Sequence, residues 1–152
     1  MGHTNWQTLT RIQKAKDQIS NYFLLMYCDN YLINFKLNKQ FDLLKKNSAD
    51  IVLSSVKKKN GQKGTVLLKN NKAIYKKGII SDYTEAGYML VNKKKFFKYT
   101  PKLNKKKQDL SSVLEACSQN NKLNYINYDN NYLCIENEYL LNQTKKYLKK
   151  LI

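Results

Sequence analysis

An α/β fold, a mostly parallel sheet with antiparallel hairpin additions, is predicted from three features of the sequence. Helix-period and strand-like apolar segments alternate over its first half. The first strand-like segment is a continuous apolar run, the pattern of a strand buried on both faces of a mostly parallel sheet. The middle of the chain then changes to short segments around a turn-forming pair, the mark of a hairpin.

The elements follow in order. Leu9, Ile12, Ala15 and Ile19 recur at helical spacing with Asp17 and Gln18 opposite, giving a helix from Thr8 to Ile19. Asn21 breaks that pattern, and Tyr22 to Cys28 reads as the apolar strand, ending at Asp29-Asn30. A helix over Lys39 to Lys46 turns Phe41, Leu44 and the stem of Lys45 inward and precedes a strand from Ile51 to Val56. Gly64–Leu68 and Ala73–Tyr75 flank Asn70-Asn71, residues that tolerate positive φ. A strand over Tyr83–Val91, a short helix from Lys94 to Tyr99 stopped by Pro101, and a helix over Asp109–Gln119 capped near Asp109 come next. Leu123–Tyr128 and Tyr132–Ile135 return to strand character. From Glu138 on, Leu140, Leu141, Thr144, Tyr147, Leu148 and Leu151 share one face of an amphipathic terminal helix.

At 152 residues the chain is long enough for one domain, which at this size buries roughly 70% of its unfolded surface. Hydrophobic residues at 42% and aromatics at 12% exclude wholesale disorder despite a mean hydropathy of −0.65. The apolar run at Tyr22–Cys28 is far shorter than the ~20 residues a membrane helix needs, so no membrane span and a cytoplasmic location are expected. Cys28, Cys117 and Cys134 are odd in number and widely spaced, which reads as reduced core thiols and neither a disulfide framework nor a zinc site. The formal charge of +17 would suggest polyanion binding. Arg11 is the only arginine, however, and an excess of Asn, Ile and Tyr accompanies the lysines, so the charge is read as compositional. Lysine also lacks the planar fork of bidentate phosphate and guanine recognition. Nucleic acid is therefore not the expected partner.

Several segments, in order, resemble the sugar-phosphate nucleotidyltransferases, the nucleotide-sugar pyrophosphorylases with a Rossmann-like catalytic domain. Thr8 to Ile12 through Tyr22 to Asn30 is similar to the family's helix, strand and Gly-Asp motif. Ile74-Tyr75-Lys76-Lys77 is similar to the segment after the family's hairpin. Thr84-Glu85-Ala86-Gly87-Tyr88-Met89-Leu90 looks like its "aGiY" strand, with Leu110 to Cys117 the following helix. Tyr132-Leu133-Cys134-Ile135-Glu136 falls where the family has "DIGTPE". Guanylyltransferases for mannose or heptose 1-phosphate are the nearest subgroup. The resemblance covers the later part of the catalytic domain, so residues 1–152 are expected to form a single nucleotidyltransferase-like domain lacking the N-terminal Gly-rich part with "GGxGTRL" and the lysine of "PKP".

The resemblance implies transfer of a nucleotidyl group from a nucleoside triphosphate to a sugar 1-phosphate, serving polysaccharide biosynthesis, with Mg2+ to neutralise charge on the phosphates. Asp29, at the carboxyl end of a sheet strand, is the implied metal ligand; a turn or helix cap is its plain alternative. The family's second carboxylate falls at Cys134, whose soft thiolate is a poor magnesium ligand, so Glu136, on the same strand face, is the candidate second ligand, against a plain capping role. Lys77, with Lys76 behind it, matches the sugar-phosphate lysine region, against a solvated loop lysine. Glu85 and Gly87 fall on the sugar-contacting strand, where a carboxylate accepts hydroxyl protons and glycine permits close approach; the alternative for Gly87 is a bulge. Tyr125, Tyr128, Tyr132 and Tyr139 could stack bases, though core packing is the commoner use.

No Gly-rich phosphate loop occurs in the chain, so the isolated chain is expected to be inactive, with a complementing chain or a homo-oligomer completing it. The competing readings are a non-catalytic remnant acting as a binding or interaction module, and a basic nucleic-acid-binding domain.

Overall fold

The computed structural model describes residues 7–58, 64–76, 79–100, 109–129, 132–135 and 137–149. In chain order the elements are α1 (Thr8–Lys14), β1 (Tyr22–Met26), β2 (Asn30–Leu32), α2 (Leu37–Lys46), β3 (Ile51–Lys57), β4 (Val66–Lys69) and β5 (Lys72–Tyr75). They continue with β6 (Tyr83–Asn92), α3 (Lys93–Tyr99), α4 (Leu110–Gln119), β7 (Leu123–Asn127), β8 (Tyr132–Cys134) and α5 (Glu138–Leu148).

Six strands form the main sheet in the order β1-β6-β3-β7-β5-β4, and β2 pairs with β8 in a small second sheet. β7 runs parallel to β3, while β6 runs antiparallel to both β1 and β3, so β1, β3 and β7 share one direction with β6 set against them. The β4–β5 hairpin is antiparallel and reaches both neighbours of β3, β7 through Lys72↔Asn124 and β6 through Val66↔Tyr83. Asn70 and Asn71 carry φ of 48° and 60°, as a tight two-residue hairpin turn with two positive φ values demands. The fold class is α/β, as expected, with β3–β7 the one parallel pairing among the described strands and the others antiparallel.

Helices cover both faces. Alternation along the strands sends Ile51, Leu53, Met89, Val91 and Leu123 to one face, where they meet Leu9, Phe96, Val113, Leu114 and Cys117 from α1, α3 and α4. The other face packs Val52 and Leu90 against Leu44 of α2, and Val56, Ala86 and Tyr88 against Leu32 of β2 and Tyr128. Caps fix where three helices begin: the side chain of Asp109 accepts from the Ser112 amide at 2.8 Å, Asn92 from Lys95 at 3.1 Å and Asn137 from Leu140 at 3.0 Å.

Three sequence expectations are corrected. β1 is not buried on both faces: it pairs only with β6 among the described residues, and its ends Tyr22 and Met26 are 39% and 51% exposed. The doubly buried strands are β3, sealed from Ile51 to Val56, and the later half of β6. Cys28 lies exposed in the turn after β1 and Cys134 is half-buried, so Cys117 alone is a core thiol. The segment after Asp29, for which no element was expected, is β2. Its strand character comes from pairing with β8, a partner about a hundred residues on, which periodicity cannot reveal. Among the described residues no helix is long and apolar enough to cross a membrane.

Phe96 is fully buried and meets Phe23 and Phe97 edge-on at 6.0 and 5.3 Å, tying α3 to β1. Phe96→Ala is expected to cost about 3–5 kcal/mol in a denaturant titration. Met26→Ala, on the exposed edge, should stay within about 0.5 kcal/mol of the parent.

Candidate functional site

β6 cannot pair evenly with β3 along its whole length. Met89 lies opposite Leu53 but Glu85 lies opposite Ser55, so four residues of β6 span two of β3 and the strand bulges between them. Gly87 sits in the bulge with φ of +72°, a conformation that excludes most side chains. A Cβ on Gly87 would come within 2.5 Å of the Asn30 side-chain nitrogen and 2.8 Å of the Tyr27 ring. Glycine is thus required twice over, for the backbone angle and for the approach of the chain that leaves β1. The bulge offered above as the plain reading of Gly87 is what the structure contains.

The turn from β1 to β2 is clamped onto this bulge. The Tyr27 amide donates to the Gly87 carbonyl at 2.9 Å. Asn30 donates through Nδ2 to the Ala86 carbonyl at 3.3 Å, and its Oδ1 accepts from the Tyr132 hydroxyl at 3.0 Å. The Tyr88 hydroxyl donates to the Asn30 carbonyl at 3.1 Å. One asparagine therefore joins β2, β6 and β8. Its register partner across β2–β8 is Cys134, and the Ile135 amide donates to the Asp29 carbonyl at 2.8 Å. Cys134 and Ile135 are in this way held beside Asp29.

Glu85 has a carboxylate oxygen, Oε2, that accepts from the Gly87 amide at 2.8 Å, and the Tyr27 hydroxyl also donates to this carboxylate. Burial raises the Glu85 pKa above the ordinary carboxylate value; the Gly87 amide, Tyr27 and the Lys58 ammonium oppose the rise, and the Asp29 charge adds to it. The same surroundings act on the phenols. Burial first and the Glu85 charge second push Tyr75 up to about 12 and raise Tyr27 further. These two tyrosines stay protonated hydrogen-bond donors at neutral pH.

Asp29, Glu85 and Gly87 thus gather at one end of the sheet, where β1 ends and β6 begins. Asp29 is exposed, Glu85 is partly buried and Gly87 is buried. Lys77 and Glu136 lie outside the described residues; Lys76 is exposed, and its amide donates to the Thr65 carbonyl at 3.3 Å. Among the described residues no three His, Cys, Asp or Glu side chains converge as a metal site would require. Of the tyrosines weighed for base stacking, Tyr128 is buried beside Phe35 at 6.1 Å and Tyr125 packs on the core, while Tyr139 is 69% exposed on α5. The sequence reading passed over Tyr27, Asn30, Tyr88 and Lys58. Their roles come from partners 27 to 102 residues away, so local spacing carries no signal of them.

Two variants probe this geometry. Gly87→Ala is expected to lose about 1–3 kcal/mol of stability in urea titrations, because the positive φ and the Asn30 contact both penalise a Cβ. For Glu85 the sign follows from linkage. An acid whose folded pKa is raised holds its proton more tightly when folded, so its stabilising contribution is full below the unfolded value and is lost as pH rises through the folded one. Glu85→Gln should therefore raise Tm over the parent at about pH 7 and lose that advantage at about pH 4. Melting curves at the two pH values are the check; an equal shift at both would mean that ionisation of Glu85 is not the cause.

No protein-family model matches the chain, and no curated protein does. Solved structures do. The chain is similar to a candidate glucose-1-phosphate thymidylyltransferase from Bacillus anthracis, solved in complex with a sucrose, with a TM-score of 0.78 at 13% identity over 96% of this chain and 62% of that one. It is also similar to the inositol-1-phosphate CTP transferase from T. maritima, with a TM-score of 0.72 at 16% identity over 93% of this chain and 60% of that one. The chain spans less than two thirds of the length of either neighbour. At these identities the likeness concerns the fold alone, which the chain shares with both of these structures.

Proposed function

We propose that the chain serves nucleotidyl transfer to a sugar 1-phosphate. A phosphate oxygen of the sugar phosphate would attack the α-phosphorus of a nucleoside triphosphate and break the α–β anhydride, giving a nucleotide sugar and pyrophosphate for polysaccharide biosynthesis in the cytoplasm. The observation that carries this reading is the gathering of Asp29 and the Glu85–Gly87 bulge at one end of the sheet, on a fold matched at a TM-score of 0.78 by a candidate thymidylyltransferase.

Each residue has a task in this reading. Glu85, oriented by Tyr27 and the Gly87 amide, accepts a hydroxyl proton of the sugar. Gly87 lets the chain pass close to it, and Lys77 offers a point charge to the sugar phosphate. Mg2+ when bound would neutralise phosphate charge and orient the oxygens. The described donors fit this ion only in its common substrate-borne form, held by one or two carboxylates while phosphate oxygens and waters complete the octahedron. Asp29 is the proposed ligand, with Glu136 the second. The sequence leans toward a guanylyl donor, whereas the solved neighbours are named for thymidylyl and cytidylyl transfer, so GTP, TTP and CTP are all to be tried.

The exposed apolar edge of β1 supports a further part of the reading, that the chain works with a second chain or as an oligomer, since such an edge is a template for strand addition. Sedimentation at micromolar concentration should show species larger than a monomer, and Met26→Lys should reduce them. A monodisperse monomer would remove this part of the reading.

Ligand-observed NMR with glucose 1-phosphate tests the site. Binding is expected for the parent and should weaken about tenfold in Glu85→Gln, as loss of a charged hydrogen bond implies. Pyrophosphate release with Mg2+ and each triphosphate is expected to be absent from the chain alone. Absence of any sugar-phosphate binding would instead favour the reading as an interaction module.

A further inference from the structure

The opposite end of the sheet carries a second feature, which does not depend on the reading above. A hollow of about 350 Å3 opens where β1 begins and β6 ends, at the turns that lead into β3 and β7. Six residues of β6 separate Glu85 from Asn92 at its rim, roughly 20 Å of strand, so the two sites are distinct. Three lysines from three separate elements line it: Lys45 from the end of α2, Lys95 from α3 and Lys122 from the turn before β7. Tyr22 and Ser48 add an aromatic wall and a hydroxyl.

The plain alternative is a solvated rim, in a chain with 28 basic residues. Two details favour a built site. Asp50, the one carboxylate lining the hollow, is buried, and its Oδ2 already accepts from the Tyr99 hydroxyl at 2.6 Å, so the lining sets three lysines against a single carboxylate that has another partner. Among the described residues no ion pair engages Lys95 or Lys122, and Lys45 is placed over the Phe41 ring, 5.9 Å from its centroid. The lining of this concave space thus carries more positive than negative charge. That space falls at the lower end of the range for small-molecule pockets, about 300–1,000 Å3, and has room for a ring as well as an ion.

We propose that this hollow binds a small phosphate ester of a ring compound, the phosphate between Lys95 and Lys122 and the ring against Tyr22. Lysine suits a compact phosphate as a point charge. Titration of the 15N-labelled chain with ribose 5-phosphate, with ribose as the uncharged control, reads the site directly. Saturable shifts are expected at the amides of Ser48, Asn92 and Lys122 with ribose 5-phosphate, and none with ribose. The double variant Lys95→Gln, Lys122→Gln should weaken binding about tenfold or more, as loss of charge-assisted contacts implies. Lys69→Gln with Lys149→Gln, exposed lysines elsewhere, should change it less than about twofold. Thermal melts of both double variants confirm that each is folded. Equal losses in the two pairs, shifts scattered over the surface, absence of saturation, or tighter binding of an acidic peptide at the same amides would each overturn the proposal.

Discussion

The bulge in β6 is the constraint on which the rest of the structure depends. Among the described strands β6 is the longest and the only one bonded to β1, β3 and β4, so it sets the register of half the sheet. An even ladder along its length would carry Glu85 and its neighbours to different partners. The extra residues of β6 between Glu85 and Met89 free the segment to turn, and only glycine can occupy position 87 in that turn, because a side chain there would strike Asn30 and Tyr27. The same turn gives Glu85 its amide partner and gives the β1–β2 turn a surface to grip. Backbone geometry and the placement of the candidate site are therefore one event.

Polar groups buried around this frame show how α/β packing accommodates imperfect chemistry. Gln40 of α2 is sealed against the sheet and donates to Ser54 at 2.8 Å, yet its Oε1 has no partner. Asn124 accepts from Lys72 at 2.8 Å while its Nδ2 is left unpaired. Each orphan atom carries a cost of roughly 1–3 kcal/mol, which the surrounding apolar contacts must offset. Cys117 lies near the Asp50–Tyr99 pair, where burial and the Asp50 charge push its thiol up to about 12, leaving it without thiolate character at neutral pH.

Charge is distributed unlike hydrophobicity. The lysines crowd loops, helix ends and outer faces, while α4, which carries none, is the helix most deeply set against the sheet. Long-range repulsion in so basic a chain is screened within about 8 Å at physiological ionic strength. The positive charge then matters where it is concave and unopposed, and the hollow beside Asp50 is such a place. Elsewhere it acts through solubility and not through fold.

What the sequence determined by itself was local. The helix starting at Thr8, the Asp109 cap and the Asn70-Asn71 turn are written in neighbouring residues, although α1 ends at Lys14, five residues short of its expected limit, and a single 3-10 turn over Lys16–Gln18 follows it. The family likeness read from Tyr22–Asn30 and Thr84–Leu90 accords with the fold of the solved neighbours. Tertiary structure decided the rest. That β1 lies at an edge, that β2 exists, and that Asn30 ties three strands together all follow from pairings across tens of residues. A continuous apolar run records only that a segment avoids water, not which side of it will be covered. Glu85 and Asp29 share one end of the sheet because β6 runs against β1, and the direction of a strand in a sheet leaves no mark on its own residues.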